Sequence, residues 1–425
     1  MIKKDDKSVE LNGWVENVRN LGSIIFLTVR DINGTYQVTL SKDASSDLFD
    51  TAKNLRNESV VSISGSIKEN KKAVNGWEVI PKSIDLLTGA EQPIPLNLNK
   101  NVESSLDKDI DYRFLSLRKE KISSVFKVES TVTNSVVKFF ERSGFYQIHS
   151  SKIVSQATEG GANVFPVVYF DKTAYLAQSP QFYKQMMMAG GFEKVFEIGP
   201  VFRAEPHHTS RHLCEYTSID IEMSFIKSYD DVMKVMEDMI INIYKDVEKN
   251  NKRELELLNV KLEIPRTPFP RITLNEAKTI LKDYGKNIGD DIDPEGERIL
   301  GQHVKAKYAS DLFFLTEFPW SIAQFYHMRK DEDKSLTCRA DLIYKGLEIT
   351  TLAQREHRYE VLISQLKEKG LEPDKFAFYT DFFRYGIPPH GGSGTGLERV
   401  VKQMLNLDNI AEATLLPRAP DRLTP

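Results

Sequence analysis

Cysteine is nearly absent: the 425 residues hold only Cys214 and Cys338, in no Cys-x-x-Cys or Cys/His zinc spacing. That excludes a disulfide scaffold and a structural zinc. Two small buried hydrophobes fit better than a redox pair, and such sparse use suits a reducing compartment. No apolar run approaches the roughly 20 residues of a membrane-spanning helix. The opening Met-Ile-Lys-Lys-Asp-Asp-Lys has no apolar signal core. The expectation is a cytoplasmic protein without a membrane partner. Charge of one sign is missing too: 57 Lys and Arg stand against 61 Asp and Glu, a formal net charge of −4. A protein whose whole surface grips nucleic acid would be basic, so any such surface here must be a local patch. Internal repeats and βαβ regularity are also lacking, which argues against a doubly wound sheet.

What is present is an ordinary globular composition, 28% charged and 40% hydrophobic, with length for two or three domains. Leu11–Val18, Ser23–Arg30, Thr35–Leu40, Val60–Lys68 and Trp77–Leu87 read as strands, with turn signals at Asn33-Gly34 and Asn75-Gly76. Ser45–Leu55 is the helical interruption after the third strand, the element order of an OB-fold barrel. The Pro- and Asn-rich stretch from Gln92 to Asn99 marks a boundary. The expected division is a barrel over residues 1–90, a linker over 91–120 and a larger α+β domain over 121–425. In the last, helices are expected at Ile122–Arg142, Tyr229–Asn250 and Glu356–Lys369, and a strand at Gly346–Thr351.

Five segments carry chemistry. Val195–Glu205 and Tyr216–Phe225 alternate as two strands, flanking a loop dense in Arg, His, Glu and Thr. Arg203, Arg211 and His212 suit phosphate oxygens, while Glu205 and Asp220 suit amines and hydroxyls. Near the C-terminus, Gly392, Gly394 and Gly396 alternate on a strand that feeds a helix bearing Arg399. Such a strand has one bare face on which a flat ligand can lie. In Gln178-Ser179-Pro180-Gln181-Phe182-Tyr183-Lys184, a helix starts at the proline with Lys184 in its first turn. A cation there opposes the helix dipole and hints at a bound anion, although alone it reads as a surface lysine. Thr158-Glu159-Gly160-Gly161 is a Gly-hinged loop with one carboxylate, suited to closing over a ligand amine. Glu348 with Thr351 offers oxygen ligands for a phosphate-bound Mg²⁺, or else a surface salt bridge. In the barrel, Phe26 and Gln37 fall on neighbouring strands, where an aromatic stacks on an unpaired base and an amide reads its edge. Spacing leaves open that Phe26 is core.

Taken together and in this order, the segments resemble the class IIb aminoacyl-tRNA synthetases, and among them the compact archaeal-type aspartyl enzymes. Phe202-Arg203-Ala204-Glu205 with Arg211-His212-Leu213 matches the family's motif 2, and Gly392–Arg399 its motif 3. The resemblance spans nearly the whole chain. It implies an N-terminal OB-fold that binds the anticodon through Phe26 and Gln37. It also implies a catalytic domain built on an antiparallel β-sheet flanked by helices. The implied activity is that of an aspartate–tRNA ligase: ATP and L-aspartate form an adenylate, and the acyl group moves to tRNA(Asp) or also tRNA(Asn). Arg203, Glu205, Arg211, His212, Leu213, Tyr216, Glu348, Gly396 and Arg399 would bind ATP, with Arg203, Glu205 and Arg399 catalytic. Tyr216 and Arg399 would sandwich the adenine. Glu348 and Thr351 would ligate Mg²⁺. Glu159, Gln181, Lys184, Arg203, Asp220, Thr351 and Arg355 would bind aspartate, with Lys184 and Arg355 pairing its side-chain carboxylate. A homodimer is implied as well.

Departures from the family pattern are also present. Ser151 stands where motif 1 ends in proline, and Leu352-Ala353 replaces two glycines, which stands to crowd the pocket floor. Phe318–Tyr326 lacks the usual Ala-Lys-Pro-Phe-Tyr. Glu16 and Val74 occupy positions that are Trp and Lys in enzymes restricted to tRNA(Asp), which leans towards relaxed tRNA choice. Alternatives are a divergent paralogue that binds tRNA or makes an adenylate without charging tRNA, and an asparaginyl enzyme, which Lys184 disfavours.

Overall fold

The computed structural model describes residues 8–43, 45–73, 75–99, 102–156, 163–206 and 209–425. The chain divides into two compact units, Met1–Val102 and Glu103–Pro425.

In the first unit, β1 (Val9–Asn20), β2 (Ile24–Arg30), β3 (Thr35–Ser41), β4 (Val60–Glu69) and β5 (Trp77–Thr88) close into a barrel of order β1-β2-β3-β5-β4. Alternation explains the closure. Leu11 and Val15, then Ile25, Leu27 and Val29, then Tyr36, Val38 and Leu40 turn inward to one core. The helix Ser46–Lys53 follows β3, and its cap Ser45 accepts a hydrogen bond from the Leu48 amide.

The second unit is built on β6 (Tyr146–Gln147), β10 (Lys194–Phe202), β11 (Glu215–Ser224), β12 (Arg271–Thr273), β13 (Leu312–Thr316), β14 (Arg339–Tyr344), β15 (Leu347–Gln354) and β16 (His390–Gly396). They form one sheet of order β12-β13-β14-β15-β16-β11-β10-β6. It is antiparallel from β13 to β10, with a parallel pair at each edge. A small sheet of β7 (Ile153–Val154), β9 (Lys172–Leu176) and β8 (Pro166–Tyr169) stands apart.

One face of the large sheet is covered by the helices Glu120–Arg142, Tyr229–Asn250 and Leu397–Leu405. Their Val132, Phe140, Met236, Ile240 and Val400 share a core with Ile219, Ile221 and Leu352 of the strands. The Tyr229 helix starts where it does because Ser228 and Asp231 form a reciprocal capping box. Short helices at Leu106–Asp111 and Arg113–Ser116 lie in this unit, within the stretch 91–120 read above as a linker. Arg113 anchors them by donating to the carbonyls of Ala411, Thr414 and Leu415.

Three elements differ from the sequence expectation, the first being the strand expected over Val195–Glu205, which ends at Phe202. The strand expected to end at Thr351 runs on to Gln354, because β14 and β16 pair with it on both sides. The helix expected from Glu356 begins at Tyr359, since the Glu356 carboxylate first accepts from the Arg358 amide (3.0 Å) and guanidinium (2.8 Å).

Alternation gives the sheet two unlike faces. Ile219 and Ile221 of β11 enter the core, so Ser218, Asp220 and Glu222 point the other way. In register, these three stand opposite Gly396, Gly394 and Gly392 of β16. On its far side β16 sets Gly394 against Thr351 and Gly392 against Ala353. A Cβ on Gly392 would lie 2.1 Å from the Ile221 carbonyl oxygen and 2.2 Å from the Glu222 carboxylate. Glycine is therefore required there. Gly392→Ala should cost on the order of 3 kcal/mol in denaturant unfolding. Gly396→Ala, whose Cβ would meet only Arg399 side-chain carbons at 3.5 Å, should stay within about 0.5 kcal/mol of the parent.

Candidate active site

The polar face of the sheet forms the floor of a cavity of about 330 Å³. One end is made by the β10–β11 hairpin and the start of the Leu397 helix. Val201 pairs with Tyr216 across the hairpin, which sets the Arg203 guanidinium carbon 5.7 Å from the Tyr216 ring centre. The loop is tied down at its base: the Arg203 amide donates to the Cys214 carbonyl (2.8 Å), and the Cys214 amide to the Arg418 carbonyl (2.9 Å). Thr209 organises its returning arm, accepting from the amides of Arg211 (3.2 Å) and His212 (3.1 Å). Its hydroxyl also bonds His212 Nδ1 at 2.9 Å. Burial, then Arg399, hold the His212 imidazole below its ordinary value, so it is neutral near pH 7. Arg399 donates to the Glu348 backbone carbonyl at 2.8 Å.

Carboxylates line this end as well. Burial pushes Glu348 up, but Arg399 and Arg339 outweigh it and hold the group below its usual range. Asp341, which sequence reasoning passed over, stands opposite Thr351 in the β14–β15 register. Burial raises its carboxyl to about 7, against the pull of Arg339. Thr351 Oγ1 donates to Glu348 Oε1 at 2.9 Å. Among the described residues no group of three or more His, Cys, Asp or Glu side chains is arranged to hold a metal ion. Mg²⁺ is commonly held by one or two carboxylates plus substrate phosphates and waters, so the hard oxygens of Glu348 and Thr351 fit it as part of a nucleotide complex.

The other end is a buried charge cluster. Lys184 is 2% exposed and donates to Asp220 Oδ1 at 2.8 Å and to the Ser393 carbonyl at 2.9 Å. Its ammonium lies 3.6 Å from Glu222 Oε2. Arg355 Nε donates to Glu222 Oε1 at 3.0 Å. Ser218 donates to the second oxygen of Asp220. Lys184 and Arg355 both have carboxylate partners within the protein. Buried cations left unpaired would be strongly destabilising, and Asp220 and Glu222 already neutralise them. Asp220 thus takes one bond from Lys184 and one from Ser218. Glu222 was missed from sequence, although its place two residues beyond Asp220 in an alternating strand puts it on the same face. Polar capacity nonetheless remains: Gln181 Nε2 and His327 Nδ1 are buried without a hydrogen-bond partner, and both residues line the cavity.

All the site residues foreseen in the larger unit line this one cavity, Glu159 excepted: Gln181, Lys184, Arg203, Glu205, Arg211, His212, Leu213, Tyr216, Asp220, Glu348, Thr351, Arg355, Gly396 and Arg399. Glu159 lies outside the described residues, as does Val74. Leu352 does not crowd the pocket floor, since its side chain joins the core beneath the sheet. Ala353 stands opposite Gly392 and does not line the cavity. From the divergent stretch 318–326, Ile322, Gln324 and Tyr326 reach the cavity wall.

In the barrel, Phe26 is half-buried on the outer face, while its neighbours Ile25 and Leu27 are core. It pairs with Thr39, and Thr28 pairs with Gln37, so Phe26 and Gln37 are diagonal neighbours on one surface. Gln37 Nε2 donates to Glu78 at 2.9 Å, as does Asn70 at 2.9 Å. Glu78, also not foreseen, thereby fixes which way the Gln37 amide faces.

Comparison with known proteins agrees with this geometry. Residues 105–420 match the model of tRNA synthetases class II (D, K and N), and residues 9–87 that of the OB-fold nucleic acid binding domain. The chain therefore belongs to the class II tRNA synthetases of the D, K and N group. Relatives narrow the class to its archaeal-type aspartate and asparagine branch. The chain is 46% identical to the Aspartate–tRNA(Asp) ligase of Thermococcus kodakarensis over 423 residues, 99% of this chain and 96% of that protein. It is likewise 46% identical to the Aspartate–tRNA(Asp/Asn) ligase of Aeropyrum pernix over 422 residues, 98% of this chain and 95% of that one. Asparaginyl-tRNA synthetase from Pyrococcus horikoshii, solved with asparaginyl-adenylate, superposes with a TM-score of 0.92 at 33% identity, covering 99% of this chain and 97% of that one. Aspartyl-tRNA synthetase from Entamoeba histolytica gives 0.89 at 33% identity, covering 99% of this chain and 90% of that one.

One carboxyl in the wall sets a pH dependence. Glu398 accepts from the Thr217 amide at 2.9 Å, and burial raises its pKa to about 7 from an ordinary 4.5. The folded state thus holds a proton that the unfolded chain has released. The stability this contributes is complete below 4.5 and is lost as pH rises through about 7. Unfolding free energies of Glu398→Gln and the parent, measured from pH 4 to pH 8, should diverge in the variant's favour with rising pH. A constant difference across that range would refute the assignment.

Proposed function

We propose that the protein is an AMP-forming aspartate–tRNA ligase, activating L-aspartate with ATP and transferring it to tRNA(Asp) and also tRNA(Asn). One observation carries the reading: a single cavity has the buried Lys184–Asp220–Glu222–Arg355 cluster at one end and Arg203, Tyr216 and Arg399 at the other. The first end suits an amino acid with an acidic side chain, the second an adenine nucleotide.

In this reading Tyr216 and Arg399 hold the adenine between an aromatic face and a guanidinium, with Glu205 on its amine. Arg203 bridges the α-phosphate and the aspartate carboxylate, stabilising charge that develops during in-line displacement. Arg211 and His212 take the terminal phosphates. Mg²⁺, held by Glu348 and Thr351 together with those phosphates, supplies charge neutralisation. Gln181 and Asp220 support the aspartate ammonium, and Glu159 is assigned to the same group by resemblance. Lys184 and Arg355 meet the side-chain carboxylate. They offer donors only, so the amide N–H groups of asparagine find no acceptor on them, and the two carboxylates nearby are already engaged. Lys184 thus favours aspartate over asparagine.

Phe26 and Gln37 form the anticodon contact. The lack of Trp and Lys at positions 16 and 74 supports acceptance of tRNA(Asn) as well as tRNA(Asp). A homodimer is supported by large apolar side chains left exposed, among them Val168 (93%), Phe170 (86%) and Tyr146 (63%). Among the described residues no helix is long and apolar enough to cross a membrane. With the sparse cysteine, this supports a cytoplasmic setting.

ATP–pyrophosphate exchange tests the reading. Aspartate should exceed asparagine by at least about a hundredfold in kcat/KM. Arg203→Ala should abolish exchange, whereas Phe26→Ala should leave it intact and weaken charging of tRNA transcripts. No exchange with aspartate, or an equal loss of exchange in both variants, would overturn it.

A further inference from the structure

The phosphate end of the cavity contains an ion pair that none of the assigned roles uses. Arg211 donates through Nη2 to Glu297, which lies in the first turns of the helix Pro294–Tyr308, far from motifs 2 and 3 in sequence. Both partners are sheltered, at 20% and 9% side-chain exposure. Arg211 lines the cavity while Glu297 stands behind it, outside the lining.

The helix carrying Glu297 is held rigidly. A Cβ on Gly301 would lie 2.7 Å from the Gly346 amide nitrogen, and one on Gly346 would lie 2.7 Å from Arg298 Cα. Helix backbone therefore touches the turn that begins β15, two residues before Glu348. Asp293 caps the helix by accepting from the Gly296 amide at 2.8 Å. The returning arm of the loop is pinned as well, since the Ile410 amide donates to the Ser210 carbonyl at 3.1 Å. Glu297 and Arg211 thus meet from two fixed supports.

We propose that Glu297 is a positioning residue for nucleotide binding: it holds the Arg211 guanidinium in place for the terminal phosphates before they arrive. The physical gain lies in arginine's long side chain, which loses much rotamer freedom when it is fixed. A group fixed in advance does not charge that loss to ligand binding. Burial pushes the Glu297 carboxyl up to about 7, with Arg211 pulling the other way. The proposal rests on the assignment of Arg211 to phosphate given above.

Calorimetric titration of the protein with Mg-ATP, without amino acid, reads the effect independently of turnover. Glu297→Ala should weaken binding about 3- to 10-fold, the range for freeing one long side chain, and leave KM for aspartate in exchange unchanged. Glu297→Gln, which keeps an oxygen for the guanidinium, should retain most of the parent affinity. In an Arg211→Ala background, Glu297→Ala should have no further effect. A merely structural glutamate would instead weaken both backgrounds alike and lower thermal stability in step. Unchanged or tighter ATP binding in Glu297→Ala, or equal losses with and without Arg211, overturns the proposal. Failure of the parent to exchange with aspartate would overturn the functional reading and leave this test standing.

Discussion

The site depends on the Glu222 carboxylate, folded over a residue that has no side chain. Glu222 reaches Lys184 from one side and Arg355 from the other, and it occupies space that any Cβ on Gly392 would claim. Two cations, one from the helix Gln181–Ala189 and one just past β15, can be buried over the sheet because this carboxylate and Asp220 accompany them. Without such partners the desolvation of either cation would cost several kcal/mol. The glycines of β16 thus do more than clear a flat surface. One of them makes room for the counter-charge that keeps Lys184 and Arg355 folded in.

This arrangement sharpens how an acidic substrate is distinguished from its amide. The cations are not vacant hooks awaiting a negative charge, since the resting protein has already paired them. In the proposed function, discrimination follows instead from hydrogen-bond type. Lysine and arginine present donors alone, and the acceptors around them are satisfied within the protein. At the other end of the cavity, Arg399 and Arg339 hold Glu348 below its ordinary range, while burial raises Asp341, opposite Thr351 on the neighbouring strand, above its own.

Much of the molecule was readable in advance. Period-2 alternation placed the barrel strands within a residue or two of where they lie. The helix expected at Tyr229–Asn250 has those same bounds in the structure. Motif spacing brought residues from four separated stretches to one cavity. What escaped were partners whose meaning is relational. Glu222, Asp341 and Glu78 look like ordinary charges on strands until register shows what they face. Leu352 looked like an obstruction because a substitution for glycine carries no direction, and only the sheet shows that it points into the core.

By itself, the sequence determined the element types, the two-part organisation and the inventory of chemical groups, because periodicity, turn residues and side-chain chemistry are local properties. It determined the family through motifs whose spacing survives folding. Tertiary structure alone decided which charge neutralises which: Glu222 for Lys184 and Arg355, Glu297 for Arg211, Glu348 for Arg399. These pairings join residues as many as 133 positions apart, as between Arg355 and Glu222. Coulombic and hydrogen-bond energies depend on distances of a few ångströms, and no pattern along the chain encodes them until the register of the strands is set.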